Sequence, residues 1–551
     1  MIQRTLFALG MFFTGSLLTA EVSAGPEQAQ PKLVAVIVVD GFPQQQAVKY
    51  RKQLAEGGLK RFLSQGAWYT NARYGHASTF TAVGHATLLT GAFPYQHGLV
   101  GNEWLDRKTR KRVYCVDDPS VQWLEDPGPG RSPRHLEATT LGDELRLATG
   151  LKSRVLSISI KDRGAILPGG KLGLAYFLNR QTGRFGTSTF YRKDYPDWWR
   201  QFYARRPQDK WFEKAWRPLL SPGAYTLSVP NGQPYVIPLQ GLGKAFPHFL
   251  KAGLQRPGPA YYGTLASTPF GNDYLLQFVQ AAVEGEKLGK NEDGIPDLLA
   301  VSFSSHDYVN HYFAPESLES EDSVLRLDRT LAELLRFLDQ WVGLEKTLVV
   351  LTADHGFPNS PEYCSQLGME AGRIDSSKMM EDLNLHLSAR FGAGKYALAW
   401  LNPTFYLDYE LIDKKGLSRS RVETVAAEFL RHYRGVAWVL NRSQLLAGQV
   451  PPTRLGQQII RSWNPTISGD LWVVQRNCWY LLGAPHALAA THGSPYSYDT
   501  DVPLMFLGPW FRPGKYGGEA DVIDIAPTLS YLLSIRPPSG SEGRVLEEIL
   551  K

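Results

Sequence analysis

Five short runs limit what this chain can fold into. Leu33–Val39 reads LVAVIVV and closes on Asp40-Gly41. Arg154–Ile160 reads RVLSISI and closes on Lys161-Asp162-Arg163. Leu298–Ser304 reads LLAVSFS just ahead of Asp307, Thr347–Thr352 reads TLVVLT ahead of Asp354-His355-Gly356, and Pro503–Leu507 reads PLMFL and ends at Gly508. Each is apolar almost throughout instead of alternating, as in a strand covered on both faces. Helical patterns lie among them, over Gln44–Gln65, Ala138–Thr149 and Ser323–Trp341. Strand and helix in alternation predict an α/β fold, a doubly wound and mostly parallel sheet with helices on both faces. Such a sheet binds ligands in the crevice beyond the carboxyl ends of its strands. Four of the five runs hand over to charged or imidazole side chains at that end, so residues far apart in sequence are expected to meet there.

The 551 residues would suffice for several domains. The runs nevertheless extend over almost the whole chain, which predicts one large domain, residues 25–551, with insertions at about 168–295 and 365–490. The first insertion is rich in Trp, Tyr, Pro and Arg (DYPDWWRQFYARR, KWFEKAW) and reads either as a cap over the site or as a peripheral layer; the second is mixed. Residues 1–24 read as a secretory signal peptide: Arg4, the apolar run Leu6–Leu18, and Val22-Ser23-Ala24 resembling an A-x-A cleavage site. The run is shorter than the roughly 20 residues of a membrane span. No membrane span is therefore expected after cleavage, and the location is expected to be periplasmic or secreted. The net charge of +6 is diffuse, with no dense Lys/Arg block, which argues against nucleic acid as a specific partner. Cys115, Cys364 and Cys478 allow one disulfide in an exported protein, and spacing does not say which pair forms it. None lies in a C-x-x-C, so a thiolate metal site is not expected.

The chemistry-bearing residues are weak signals singly. An Asp after a strand is commonly a turn or helix-cap residue, a lone D-x-x-x-H is frequent in any chain, and Gly101-Asn102 alone reads as a turn. Their joint order is more specific: VVDG with Asp40, then T-x-x-G-H with Thr81 and His85, then KDR with Lys161 and Arg163, then D-x-x-x-H with Asp307 and His311, then ADHG with Asp354 and His355, then THG with His492. Carboxylates with imidazoles and no thiolate suit Zn²⁺ or a similar first-row ion. The set divides into two groups of three protein ligands, the number a catalytic metal site uses while keeping a position open.

On these motifs the chain, from about Leu33 to its end, resembles the alkaline phosphatase superfamily. Within it the resemblance is to the branch shared by nucleotide pyrophosphatase/phosphodiesterases and PafA/PhoK-type alkaline phosphatases. The resemblance implies an alkaline-phosphatase-like core and two Zn²⁺ ions. One would be held by Asp307, His311 and His492, the other by Asp40, Asp354 and His355 with the nucleophile. His306 is out of register for that role, and His492 is preferred over His486 because of its THGSPYSYDTDVP context. The family's nucleophile precedes a His by four residues and a phosphate-binding Asn by twenty-one. Thr81 meets both conditions, with His85 and Asn102, and Thr79 meets neither. Lys161 and Arg163 would hold phosphoryl oxygens, a cation pair that favours a monoester dianion over a diester monoanion. The implied activity is a phosphate monoesterase acting on small-molecule phosphate esters through a phosphothreonine. The alternatives are a phosphodiesterase or nucleotide pyrophosphatase using the same site, and, less favoured, a non-catalytic phosphate- or metal-binding protein.

Overall fold

The computed structural model describes residues 30–237 and 241–551; the expected signal peptide lies outside them. Nine strands form the main sheet. In chain order they are β1 (Leu33–Val39), β2 (Ala67–Tyr69), β3 (Val155–Ser159), β4 (Leu174–Asn179), β5 (Arg184–Gly186), β6 (Asp297–Phe303), β7 (Thr347–Thr352), β8 (Leu504–Leu507) and β9 (Gly514–Tyr516). Their spatial order is β9-β2-β8-β7-β1-β6-β3-β4-β5. The central five, β7-β1-β6-β3-β4, are all parallel, and β8 and β5 join antiparallel. All seven residues of β1 are buried, and so are those of β6 and β7. The mostly parallel α/β architecture expected from the apolar runs is thus what the chain adopts.

Helices cover the sheet, the longest being Leu318–Trp341, whose N-terminus is capped by the Ser317 side chain accepting from the Ser320 N–H. The helix expected over Gln44–Gln65 is instead two short ones, Gln44–Lys49 and Leu59–Gln65. Buried Asp328 accounts for the break, because its two oxygens accept from the Ala55 and Leu59 N–H groups (2.5 and 2.7 Å). Gly58 lies so close that a Cβ there would stand 2.2 Å from Asp328 Oδ1.

The two segments that break the alternating pattern are built differently. Within 168–295, β4 and β5 extend the main sheet, and the helix Pro269–Gly285 packs into the same core. The less regular part between them is tied down by Asp322, which accepts from Trp216 Nε1, the Leu219 N–H and the Tyr225 hydroxyl (2.6, 2.6 and 2.5 Å). Within 365–490 the chain makes a separate antiparallel sheet, Ala397–Leu401, Thr404–Leu407, Leu471–Gln475 and Val436–Asn441 in spatial order. That sheet has a core of its own, including Met379, Leu383, Val422, Leu430 and Val473. Cys115, Cys364 and Cys478 are buried free thiols.

Candidate active site

Asp40 directly follows β1, Lys161 follows β3, Asp307 follows β6, and Asp354-His355 follow β7. Because these strands are parallel neighbours, their carboxyl ends bring the four groups to one edge. Gly41 lets the chain turn there: its φ is +69°, and a Cβ would stand 2.9 Å from Asp307 Oδ1. Its N–H donates to Asp354 Oδ1 at 3.0 Å. Asp307 and His311 stand one turn apart on the helix Ser305–Phe313, and His492 arrives on the loop before β8.

Asp307 lies at the centre of the acids and imidazoles. Its Oδ1 is 3.5 Å from His311 Nε2, 3.7 Å from His492 Nε2 and 3.9 Å from His355 Nε2. His355 Nε2 is also 3.4 Å from Asp354 Oδ2 and 3.6 Å from Asp40 Oδ1. The His355 and His492 rings stack with centroids 3.6 Å apart. Each imidazole is fixed from behind by donating Nδ1–H to a carbonyl: His311 to Ala490, His355 to Gly356 and His492 to Thr79, at 3.0, 2.9 and 2.7 Å. The Nε2 lone pairs are left facing inward, the arrangement of metal-ligating histidines. Burial holds all three imidazoles below the usual histidine range, hence neutral.

The donor set fits cations. Asp307 Oδ1, Asp354 Oδ2 and His355 Nε2 are buried atoms without a hydrogen-bond partner, and orphaned acceptors in such a position are costly unless a cation meets them. Two groups of donor atoms lie within 4.8 Å of one another, Asp307-His311-His492 and Asp40-Asp307-His355. The first is the triad expected from sequence. In the second, Asp307 stands where Asp354 was expected, with Asp354 Oδ2 still adjoining His355.

The side chains expected to hold phosphate converge on the start of the helix that carries Thr81. Thr81 is the first residue of the helix Thr81–Thr90, and its Oγ1 accepts from Lys161 Nζ at 3.3 Å and from Arg163 Nη2 at 3.4 Å. The Asn102 carbonyl oxygen accepts from the Ala82 N–H at 2.9 Å, which orients its amide toward the helix N-terminus, a place suited to anions. His85, one turn on, donates Nδ1–H to the Thr81 carbonyl at 2.8 Å and stands 3.2 Å from Asp354 Oδ2. Gly84 permits this approach, since a Cβ there would stand 2.0 Å from the Asp354 carbonyl oxygen.

Lys161 joins the two sets. Its ammonium is 2.8 Å from Asp40 Oδ2 and 2.6 Å from Asp307 Oδ2. Burial disfavours the charge, but Asp307 and Asp40 outweigh it and raise the lysine above its ordinary value. Burial likewise raises Asp307, yet the Lys161 ammonium holds it well below the carboxylate range. Asp40 is pushed up by burial and by the charge of Asp354.

The residues that the sequence reading set aside have partners of their own or are exposed. His306 bonds Gln46 and Ser323, His486 is exposed, and Thr79 donates to the Ser494 carbonyl. Asp162 accepts from Tyr114 and Arg131 (2.5 and 2.8 Å), and Arg163 donates to Tyr114 Oη at 3.1 Å. Sequence reasoning did not single out Tyr114, Tyr308 or Arg180, which line the same cavity as Lys161 and Arg163. A usable signal existed for Arg180, which directly follows the apolar LAYFLN of β4.

A family model described as type I phosphodiesterase / nucleotide pyrophosphatase matches residues 34–495. Alkaline phosphatase PafA of Elizabethkingia meningoseptica is 34% identical over 557 residues, covering 100% of both chains. Alkaline phosphatase PhoV of Synechococcus elongatus is 36% identical over 527 residues, 95% of this chain and 94% of the relative. A protein of Myroides odoratus described as a calcium-transporting ATPase is 34% identical over 547 residues, 99% and 98% of the two chains. The crystal structure of wild-type PafA matches with a TM-score of 0.89 at 34% identity, over 95% of this chain and 99% of that one. A solved PafA variant carries substitutions at a threonine, an asparagine, a lysine and an arginine. The threonine-to-asparagine and lysine-to-arginine spacings are those of Thr81–Asn102 and Lys161–Arg163 here.

Proposed function

The chain belongs to the type I phosphodiesterase / nucleotide pyrophosphatase family and is a phosphoric monoester hydrolase; from that premise we propose that it is an exported alkaline phosphatase that works through a phosphothreonine on Thr81 beside two Zn²⁺ ions. Asp307, His311 and His492 would hold one ion; Asp40, Asp354 and His355, together with Thr81, would hold the other. Bound there, the pair would ease deprotonation of the Thr81 hydroxyl and neutralise charge on the leaving oxygen.

The chain's own residues do the rest. Thr81 Oγ1 attacks phosphorus in line. As the Oγ1–P bond forms, the bond to the leaving alcohol oxygen breaks and the alcohol departs. Lys161, Arg163 and the Asn102 amide hold the non-bridging oxygens, where charge sits in a loose transition state. Water then attacks the phosphothreonine, releasing inorganic phosphate and restoring Thr81. The buried imidazoles are neutral, and higher pH favours deprotonated nucleophiles, so an alkaline optimum is expected. Among the described residues no helix is long and apolar enough to cross a membrane.

The observation that most supports this reading is Thr81 Oγ1 within reach of both Lys161 and Arg163, while Lys161 also reaches Asp40 and Asp307, two carboxylates of the proposed metal-binding set. The test compares p-nitrophenyl phosphate with bis-p-nitrophenyl phosphate on wild type and Thr81→Ala, with metal content measured on the same preparation. Wild type should prefer the monoester and Thr81→Ala should lose turnover. A diester preference above about tenfold would favour the phosphodiesterase reading that the family model also allows. Acid quench of wild type should trap phosphate on Thr81; a non-catalytic binder would trap none.

A further inference from the structure

Lys161 and Arg163 leave the sheet after β3. One strand over, β4 runs parallel to β3 and ends at Asn179 on the same edge. Arg180 is the next residue, at the tip of the β4–β5 hairpin. The Asn179 side chain holds that tip, accepting from the Gln181 N–H at 2.9 Å and donating to the Pro127 carbonyl at 2.8 Å.

The Arg180 guanidinium lies over the Tyr308 ring, 4.7 Å from its centroid, and Lys161 Nζ lies 5.0 Å from the centroid of the same ring. Tyr308 directly follows Asp307. One aromatic ring therefore adjoins a cation of the phosphate site and a second cation further out. The neighbouring cations are already paired: Lys161 with Asp40 and Asp307, Arg131 with Asp117 and Asp162, Arg163 with Tyr114 and Thr81. Among the described residues Arg180 has no hydrogen-bond or carboxylate partner, and its side chain is exposed. It shares a cavity of about 360 Å³ with Lys161, Arg163, Tyr308 and Trp123, which is of the size that takes a small ligand.

We propose that Arg180 is a specificity-determining residue, forming a subsite for phosphate monoesters whose leaving group carries a second anionic group, a carboxylate or another phosphate. A phosphoryl group held by Lys161 and Arg163 leaves room in the same cavity for a short leaving group to extend past Tyr308. Its far anion would meet a guanidinium that has two donor edges free and is kept in place by the ring beneath it. This inference rests on the monoesterase reading above.

The experiment measures kcat/KM for 3-phosphoglycerate and for glycerol 3-phosphate, two esters alike in size, the first with a carboxylate where the second has a hydroxymethyl group. Wild type should favour 3-phosphoglycerate. Arg180→Ala should lower the 3-phosphoglycerate to glycerol 3-phosphate ratio by about tenfold, the worth of one charge-assisted contact. Arg180→Lys should recover part of that ratio, and Arg180→Glu should push it below the Ala value. The wild-type ratio should also fall as salt is raised, because the contact is open to solvent. A ratio unchanged in Arg180→Ala, or lowered equally in Arg180→Lys and Arg180→Glu, overturns the subsite; Arg180→Gln gives the same readout if the Ala protein is insoluble. Wild type that turns over p-nitrophenyl phosphate but neither of these esters removes the subsite alone, as does turnover of both with an unchanged ratio, whereas wild type inactive on p-nitrophenyl phosphate as well removes the proposed mechanism.

Discussion

Asp40, Asp307, His311, Asp354, His355 and His492 reach the site on short, mostly buried side chains from three strand ends, one helix and one loop. Every imidazole among them is locked by a backbone carbonyl. Thr81, Asn102, Lys161 and Arg163 are held differently. Thr81 is fixed by its helix start, but Asn102 and Arg163 are only half-buried, and the two cations arrive on long, flexible stems. The first half is a cage of acid and imidazole donors, its imidazoles braced separately, that would hold cations. The second half has no such bracing at Arg163, whose guanidinium is held through Tyr114 and Thr81. Under the proposed mechanism a division of labour follows: the cage would decide whether chemistry happens, and the cationic half which phosphate ester it happens to. Lys161 belongs to both, since its ammonium touches Asp40 and Asp307 as well as Thr81.

The sharpest way to break this contrast is to remove the residue at the centre of the cage. Asp307→Ala should lower monoesterase activity on the order of 10⁴-fold or more, as removal of a member of an interdependent catalytic set does. Because three imidazoles face Asp307 Oδ1, metal content measured by mass spectrometry should fall for both ions together. Loss of one ion with the other fully retained would show the cage to be two independent sites. Lys161→Ala should cost about 10²- to 10³-fold on p-nitrophenyl phosphate and less on bis-p-nitrophenyl phosphate, because the diester offers one negative charge fewer to the missing ammonium. Equal losses on both esters would assign Lys161 to the cage and not to substrate choice.

How much of this could be read from the chain depends on the range of the forces involved. The central strands were legible because burial on both faces leaves a continuous apolar run, a local signal. The ligand order was legible because a strand-end rule turns sequence position into spatial position: Asp40, Asp307, Asp354 and His355 stand together as that rule predicts. The break inside Gln44–Gln65 was not legible, since the group that satisfies the Ala55 and Leu59 amides is Asp328, far downstream. Nor was the separate sheet within 365–490: Ala397–Leu401 (ALAWL) and Val436–Asn441 (VAWVLN) are apolar almost throughout, but their antiparallel sheet is closed by pairings between residues far apart in sequence, such as Phe405 with Leu471. Arg180 escaped for another reason. LAYFLNR obeys the strand-end rule, but it lies in a segment whose aromatic and proline content suggested an insertion, and the composition of the whole masked the pattern of its first strand.

The smallest effect tests how the cationic half is steered. Arg163→Ala should cost about 10- to 100-fold on the monoester, less than Lys161→Ala, because the Arg163 side chain is 17% exposed and partly screened where that of Lys161 is 2% exposed. Tyr114 touches no proposed reacting atom, yet its hydroxyl accepts from Arg163 Nη1 at 3.1 Å and donates to Asp162 at 2.5 Å. Tyr114→Phe keeps the ring under Arg131 and removes only those two hydrogen bonds. The expected loss is about three- to tenfold in kcat/KM, the worth of a hydrogen bond to a charged group with water free to replace it. If Tyr114 acts by aiming Arg163, the two substitutions must not be additive: in the Arg163→Ala background, Tyr114→Phe should change the rate by less than about twofold. Full additivity in that double-mutant cycle would mean that Tyr114 supports the fold near the site and not the guanidinium, and that Arg163 finds the phosphate by charge alone.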